Sequence, residues 1–225
     1  MIPLRDSTRS RRFPYVNVAL IALNVIIFFK ELTLSHQELN QVFYVFGVVP
    51  AKVNALLNTG APLIPLFVPF ISAMFLHGSW VHIIGNMLYL WIFGDNVEDR
   101  LGHFNYLIFY LLAGIAGSAA HIITNPGSEV PIIGASGAIA GVLGAYFLSF
   151  PRSRILTLVP LLFFITIVEV PAVFFLLFWF VIQLLNGITT AGVAANPVAW
   201  WAHVGGFLAG AILIKLFPDK RTSYF

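Results

Sequence analysis

Residues 134–151 read Gly-Ala-Ser-Gly-Ala-Ile-Ala-Gly-Val-Leu-Gly-Ala-Tyr-Phe-Leu-Ser-Phe-Pro. The apolar part, Ser136 to Phe150, predicts a helix of about 15 residues that Pro151 stops. At about 1.5 Å per residue it is about 22 Å long. A bilayer core is about 30 Å thick, so a span of this length ends about 8 Å short. Pro151, Arg152 and Arg154 hold its far end at one surface. Its near end, with Ser136, therefore lies submerged below the other. A helix start offers free backbone N–H groups to whatever docks there. A serine at such a point is also an ordinary N-cap. What Ser136 does is then decided by what else reaches its depth.

The rest of the chain has the composition such a span needs. Its 225 residues are 59% hydrophobic, with 22 Phe and only 9% charged. Soluble domains carry roughly 25% charge. This excludes a soluble globule, a disordered chain and a nucleic-acid binder. The net charge of +3 comes from 12 Lys+Arg against 9 Asp+Glu, placed at the edges of apolar stretches as in membrane proteins. The absence of Cys removes disulfides, a thiol nucleophile and Cys-based metal sites.

Six spans follow, at about Tyr15–Phe29, Trp80–Phe93, Tyr106–Ile123, Ser136–Phe150, Val168–Ile188 and Val198–Phe217. No small-residue cleavage site follows the first, so it reads as a retained anchor. Residues 1–14 form a basic N-terminus, 30–70 a long first loop, and 218–225 a tail. Residues 155–167, cut off by Pro160 and Pro171, read as an interfacial or re-entrant piece. Glu169, beside Pro171, reads as interfacial. If both ends lie inside, Arg5, Arg9, Arg11, Arg12, Arg100, Arg152, Arg154, Lys215, Lys220 and Arg221 are inside, and only Lys30 and Lys52 are outside. That asymmetry, 10 against 2, predicts cytoplasmic termini. The expected fold is one all-α polytopic domain over residues 1–225.

Polar groups within spans are functional candidates. His203 lies five residues into the sixth span, about 7–8 Å deep, on the side from which Ser136 is also submerged. A Ser and a His at one depth are what a nucleophile and its general base require. Gly137 and Gly141 on the fourth span, and Gly206 and Gly210 on the sixth, let the two helices approach closely. His82 and Asn86 are four apart on one face of the second span. With backbone N–H groups they form candidate donors to an oxyanion. The expected cavity opens outward, is hydrophilic, and is lined by His77, His82, Asn86, Ser136 and His203. No His-Glu-x-x-His occurs, so neither a metal nor another cofactor is expected.

These pieces together resemble the rhomboid family of intramembrane serine proteases. The matching residues are His77-Gly78-Ser79-Trp80-Val81-His82-Ile83-Ile84-Gly85-Asn86 and Gly94-Asp95-Asn96-Val97-Glu98-Asp99-Arg100-Leu101-Gly102. Further along come Gly134-Ala135-Ser136-Gly137 and Ala202-His203-Val204-Gly205-Gly206 with Gly210. They follow the family's order and cover most of the chain after residue 70. The resemblance implies a six-helix core and a Ser136–His203 dyad without a triad acid. It also implies His82 and Asn86 on the oxyanion side, and a structural ion-pair region around Glu98 and Arg100. Transmembrane proteins would be the substrates, cleaved near the extracytoplasmic boundary of a cell (plasma or inner) membrane. Two departures stand out. The first loop has no Trp-Arg pair, and no Trp precedes His77. Ala140 occupies the position where some members stack a Tyr on the histidine, so His203 must be braced otherwise. A catalytically inactive relative acting as a binding or quality-control scaffold is the alternative. Such relatives typically lack the Ser or the His, and this chain has both. A transporter would show inverted repeats, and none are visible.

Overall fold

The helix that begins at Ser136 is the centre of a bundle. The structure is a computed structural model and describes residues 1–60, 64–161, 164–190 and 198–221. In chain order the elements are β1 (Ile2–Asp6), α1 (Tyr15–Glu31), α2 (His36–Phe46), α3 (Pro50–Asn58) and α4 (Ile64–Ser72). A 3-10 turn (Ala73–Phe75), α5 (Trp80–Leu101), α6 (His103–Thr124) and α7 (Ser136–Ser149) follow. β2 (Arg154–Leu161), β3 (Phe164–Pro171), α8 (Ala172–Thr189) and α9 (Trp200–Leu213) complete the chain.

α7 is buried at every position from Gly137 to Tyr146. A helix apolar on all sides, as this one is, belongs in a core. α5, α6, α8 and α9 pack around it. By contrast, Ile26, Ile84, Trp91, Ile123, Phe174 and Ile212 face outward and are 60–78% exposed. An apolar belt of that size is a surface for something other than water. α6 and α8 are long and apolar enough to cross a membrane, and a third candidate is the pair Phe67–Phe75 and Trp80–Leu101, bent by 92°. α7 and α9 are apolar but only 14 residues each.

The all-α expectation needs correction. β1, β2 and β3 form an antiparallel sheet in that order. The stretch expected to be an interfacial or re-entrant piece is instead mostly strand: Arg154–Leu161 and Phe164–Pro171 pair antiparallel, from Arg154↔Pro171 to Leu161↔Phe164. The fifth helix accordingly starts at Ala172, not Val168. The cause is composition. Thr157, Val159, Ile165, Thr166, Ile167, Val168 and Val170 are β-branched and favour extended backbone. The basic N-terminus supplies the third strand, with Ile2↔Leu158 and Asp6↔Ile155 as its outermost pairs. Ile155 and Thr157 are fully buried beneath it. Glu169 is exposed on β3 and pairs with Arg154 at 3.8 Å. The long first loop holds α2, α3 and α4. α2 begins with a Ser35–Glu38 capping box, in which the Ser35 hydroxyl and backbone hydrogen bonds pull the Glu38 carboxyl below its usual range.

The end of the bundle away from Ser136 is tied by charge. Glu98, on α5 and almost fully buried, accepts from the backbone N–H groups of Val16 (3.0 Å) and Asn17 (2.7 Å) at the start of α1. It also contacts His103. Arg221 meets Asp99 at 3.3 Å and Arg100 meets Asp219 at 3.6 Å, so the tail straps this end. Replacing Glu98 with Ala strands two N–H groups in a buried place. It is expected to destabilise the fold by about 2–4 kcal/mol, read as a lower unfolding midpoint in detergent, whereas Arg100→Ala changes it little.

Candidate active site

The loop before Ser136 is pinned before the helix starts. Val48 and Ile132 exchange backbone hydrogen bonds of 3.1 and 2.8 Å, and the Gly134 N–H donates to the Ala73 carbonyl at 2.8 Å. Gly134 has φ +111°, which an L side chain rarely adopts. A Cβ there would also strike the His82 ring. The chain thus turns tightly under His82 and enters α7 at Ser136.

Ser136 is the first helical residue, and Ala135 occupies the cap position. The Ser136 hydroxyl is not spent on capping the helix. Its Oγ lies 2.8 Å from His203 Nε2. α9 brings His203 there because its backbone nearly touches α7. A Cβ on Gly206 would collide with the Gly137 carbonyl, and one on Gly210 with the Gly141 carbonyl. The two small-residue stripes are therefore the actual contact, with Gly137, Gly141, Gly206 and Gly210 all buried in it.

A cavity of about 660 Å³ opens over this pair. His82, Asn86, Ser136 and His203 all line it. His77 does not. It is 1% exposed and sits behind, where its Nε2 is 2.9 Å from Asn86 Nδ2. Its backbone N–H donates to the Glu31 carboxylate at 3.2 and 3.3 Å. His77 therefore braces Asn86 and does not line this cavity. Burial beneath α1 made the difference, and no spacing rule reports burial. The cavity is also less polar than expected, since Val81, Ile133, Ile139, Leu143 and Trp179 share its wall. With His77 Nε2 as acceptor, the Asn86 amide keeps a second hydrogen for the cavity. The His77 and His82 rings meet edge to face at 4.9 Å.

Sequence reasoning missed Gln183. Its Oε1 is 2.8 Å from His203 Nδ1. The available signal was a single buried amide in the apolar run 172–185. Trp179 and Trp200 flank the histidine, each with its ring centroid 6.0 Å away.

Residues 66–219 match the Rhomboid domain family. The chain belongs to that family and is a polytopic membrane protein. Its relatives include Rhomboid-like protein 11, chloroplastic, of Arabidopsis thaliana, 29% identical over 171 residues, which are 69% of this chain and 55% of that protein. Rhomboid protease GluP of Bacillus subtilis is 34% identical over 132 residues, 59% of this chain and 24% of the relative. Rhomboid protein 1, mitochondrial, of Saccharomyces cerevisiae is 35% identical over 96 residues, 41% of this chain and 28% of the relative. The chain thus spans between about a quarter and just over half of these proteins' lengths.

Proposed function

We propose that this protein is an intramembrane serine endopeptidase that cleaves transmembrane substrates with Ser136 and His203. The observation that carries the reading is the 2.8 Å contact between Ser136 Oγ and His203 Nε2 at the floor of an open cavity. Ser136 Oγ attacks the substrate carbonyl carbon, and its proton passes to His203 Nε2. The carbonyl oxygen becomes an oxyanion, held by His82, Asn86 and the backbone N–H groups at the start of α7. As the C–N bond breaks, His203 gives the proton to the leaving amine. Water then attacks the acyl-ester carbonyl, giving its proton to His203, and Ser136 leaves as the restored hydroxyl.

We read six spans with both termini cytoplasmic, in a cell membrane, and the site facing the opposite side. The cation asymmetry supports this, as does the gathering of Arg5, Arg100, Arg154 and Arg221 at the end away from Ser136. Short α7 and α9 keep the reacting atoms below the boundary. Substrate backbone must be extended there, which favours helices weakened by Gly, Pro or other poor helix formers.

The test uses purified protein in liposomes with a transmembrane reporter and a serine-directed fluorophosphonate. The expected result is reporter cleavage that the phosphonate stops with one label, on Ser136. Cleavage that survives full labelling, or a label elsewhere, overturns the assignment. His82→Ala and Asn86→Ala each remove one donor. Each is expected to slow cleavage by about 10–1,000-fold, while a change confined to KM would make them part of the binding surface.

A further inference from the structure

We propose that Gln183 is a positioning residue that holds His203 in the one tautomer able to accept the Ser136 proton. The proposal rests on the Ser136–His203 reading above.

Gln183 is the only amide or charged side chain between Ala172 and Leu185, and it is 6% exposed. A buried amide is unfavourable unless both of its ends are bonded. Here both are. Nε2 donates to the Trp179 carbonyl at 3.2 Å, and Oε1 faces His203 Nδ1 at 2.8 Å. The first bond decides the second. A carbonyl oxygen only accepts, so it must be met by the amide nitrogen, which leaves Oε1 towards the histidine. Oε1 also only accepts, so His203 Nδ1 must carry the hydrogen. A neutral imidazole has one N–H. Nε2 is then bare and aimed at Ser136 Oγ, 2.8 Å away.

The reversed amide would set two acceptors, Oε1 and the Trp179 carbonyl, against each other. It would also move the imidazole hydrogen to Nε2, where it would donate to Ser136 and leave no base. Trp179 and Trp200 limit the tilt of the ring, but a flat apolar wall does not distinguish the two nitrogens. Only Gln183 does. Through the step the Nδ1–H···Oε1 bond persists while the proton moves from Oγ to Nε2. A neutral amide orients the imidazole without adding a negative charge, unlike a triad carboxylate.

The experiment follows fluorophosphonate labelling of Ser136 in the full chain, separating the maximal rate from the apparent inhibitor affinity. Gln183→Leu keeps size and removes the acceptor. We expect its maximal rate to fall roughly 10–100-fold, with apparent affinity and thermal midpoint held. Gln183→Glu restores an acceptor and is expected to recover most of the rate. Nitrogen NMR of protein labelled with [15N]histidine should give His203 a protonated Nδ1 and a bare Nε2 in the parent, and a tautomer mixture in Gln183→Leu. A Gln183→Leu protein that labels at the parent rate, or one that Gln183→Glu does not rescue, overturns the proposal. If the parent is not labelled at Ser136, the dyad reading has failed instead. The tautomer spectrum then still tests Gln183.

Discussion

Ser136→Ala and His203→Ala are each expected to lower reporter cleavage by more than about 1,000-fold, and the double variant is expected to be no worse than either. The reason is that the two side chains act as one unit. Without His203, Ser136 Oγ loses the acceptor nitrogen that lies 2.8 Å away. Without Ser136, His203 faces a methyl group. Both replacements shrink a side chain lining the cavity and add no atom to the α7–α9 contact, so the unfolding midpoint should move little. Cleavage measured in liposomes, with expression and midpoint measured in parallel, separates chemistry from folding. A single variant that kept more than about a tenth of the activity would remove the dyad from the mechanism, because residues of one catalytic unit lose their effect together.

Gly206→Val carries the second largest effect. The contact here is backbone to backbone: a first side-chain carbon at Gly206 would already run into the Gly137 carbonyl and crowd Ala140. A carbonyl in the first turn of α7 cannot swing aside as a flexible side chain could, so the helices must separate. His203 is one turn away on the same helix, and a displacement of about 1 Å can lower a rate about 100-fold. We expect Gly206→Val to lose at least that much cleavage while still inserting in the membrane, where Val is tolerated. Gly206→Ala should also lose most of it, since its Cβ is the colliding atom. Gly205 offers a comparison on the same helix. A Cβ there meets Ala120 on α6, so Gly205→Ala should disturb α6–α9 packing and change cleavage less. Full activity in Gly206→Val would require a different α7–α9 contact from the one described.

Much of this could be read without coordinates because it is written locally. Apolar runs of the right length announce membrane helices, and a short run between Ser136 and Pro151 is the basis for expecting a submerged serine. The spacing of His82 and Asn86 puts both on one helix face, and both line the cavity. Depth counted along two spans brought Ser136 and His203 level, and the glycine stripes marked where the helices touch. Those are statements about single elements, and helix periodicity carries them.

What the tertiary structure decided is which distant elements pair. The apolar stretch from Ile155 to Pro171 has no clean alternation, because a strand buried or apolar on both faces lacks one. Its β-branched residues were the only local hint. The partner that made it a sheet was residues 2–6, about 150 positions earlier. His77 was expected to line the cavity with His82 and Asn86, but Glu31 on α1 holds its backbone and it lies buried behind Asn86. Gln183 and His203 are 20 residues apart on different helices. No period links them, so nothing local told Gln183 from an amide bonded within its own helix. Sequence alone pointed to a helical membrane fold and to the two residues, Ser136 and His203, that the fold brings within 2.8 Å, because helix length and polarity are properties of a segment. The sheet, the retreat of His77 and the grip on His203 depend on which segment arrives beside which, and only the packed chain decides that.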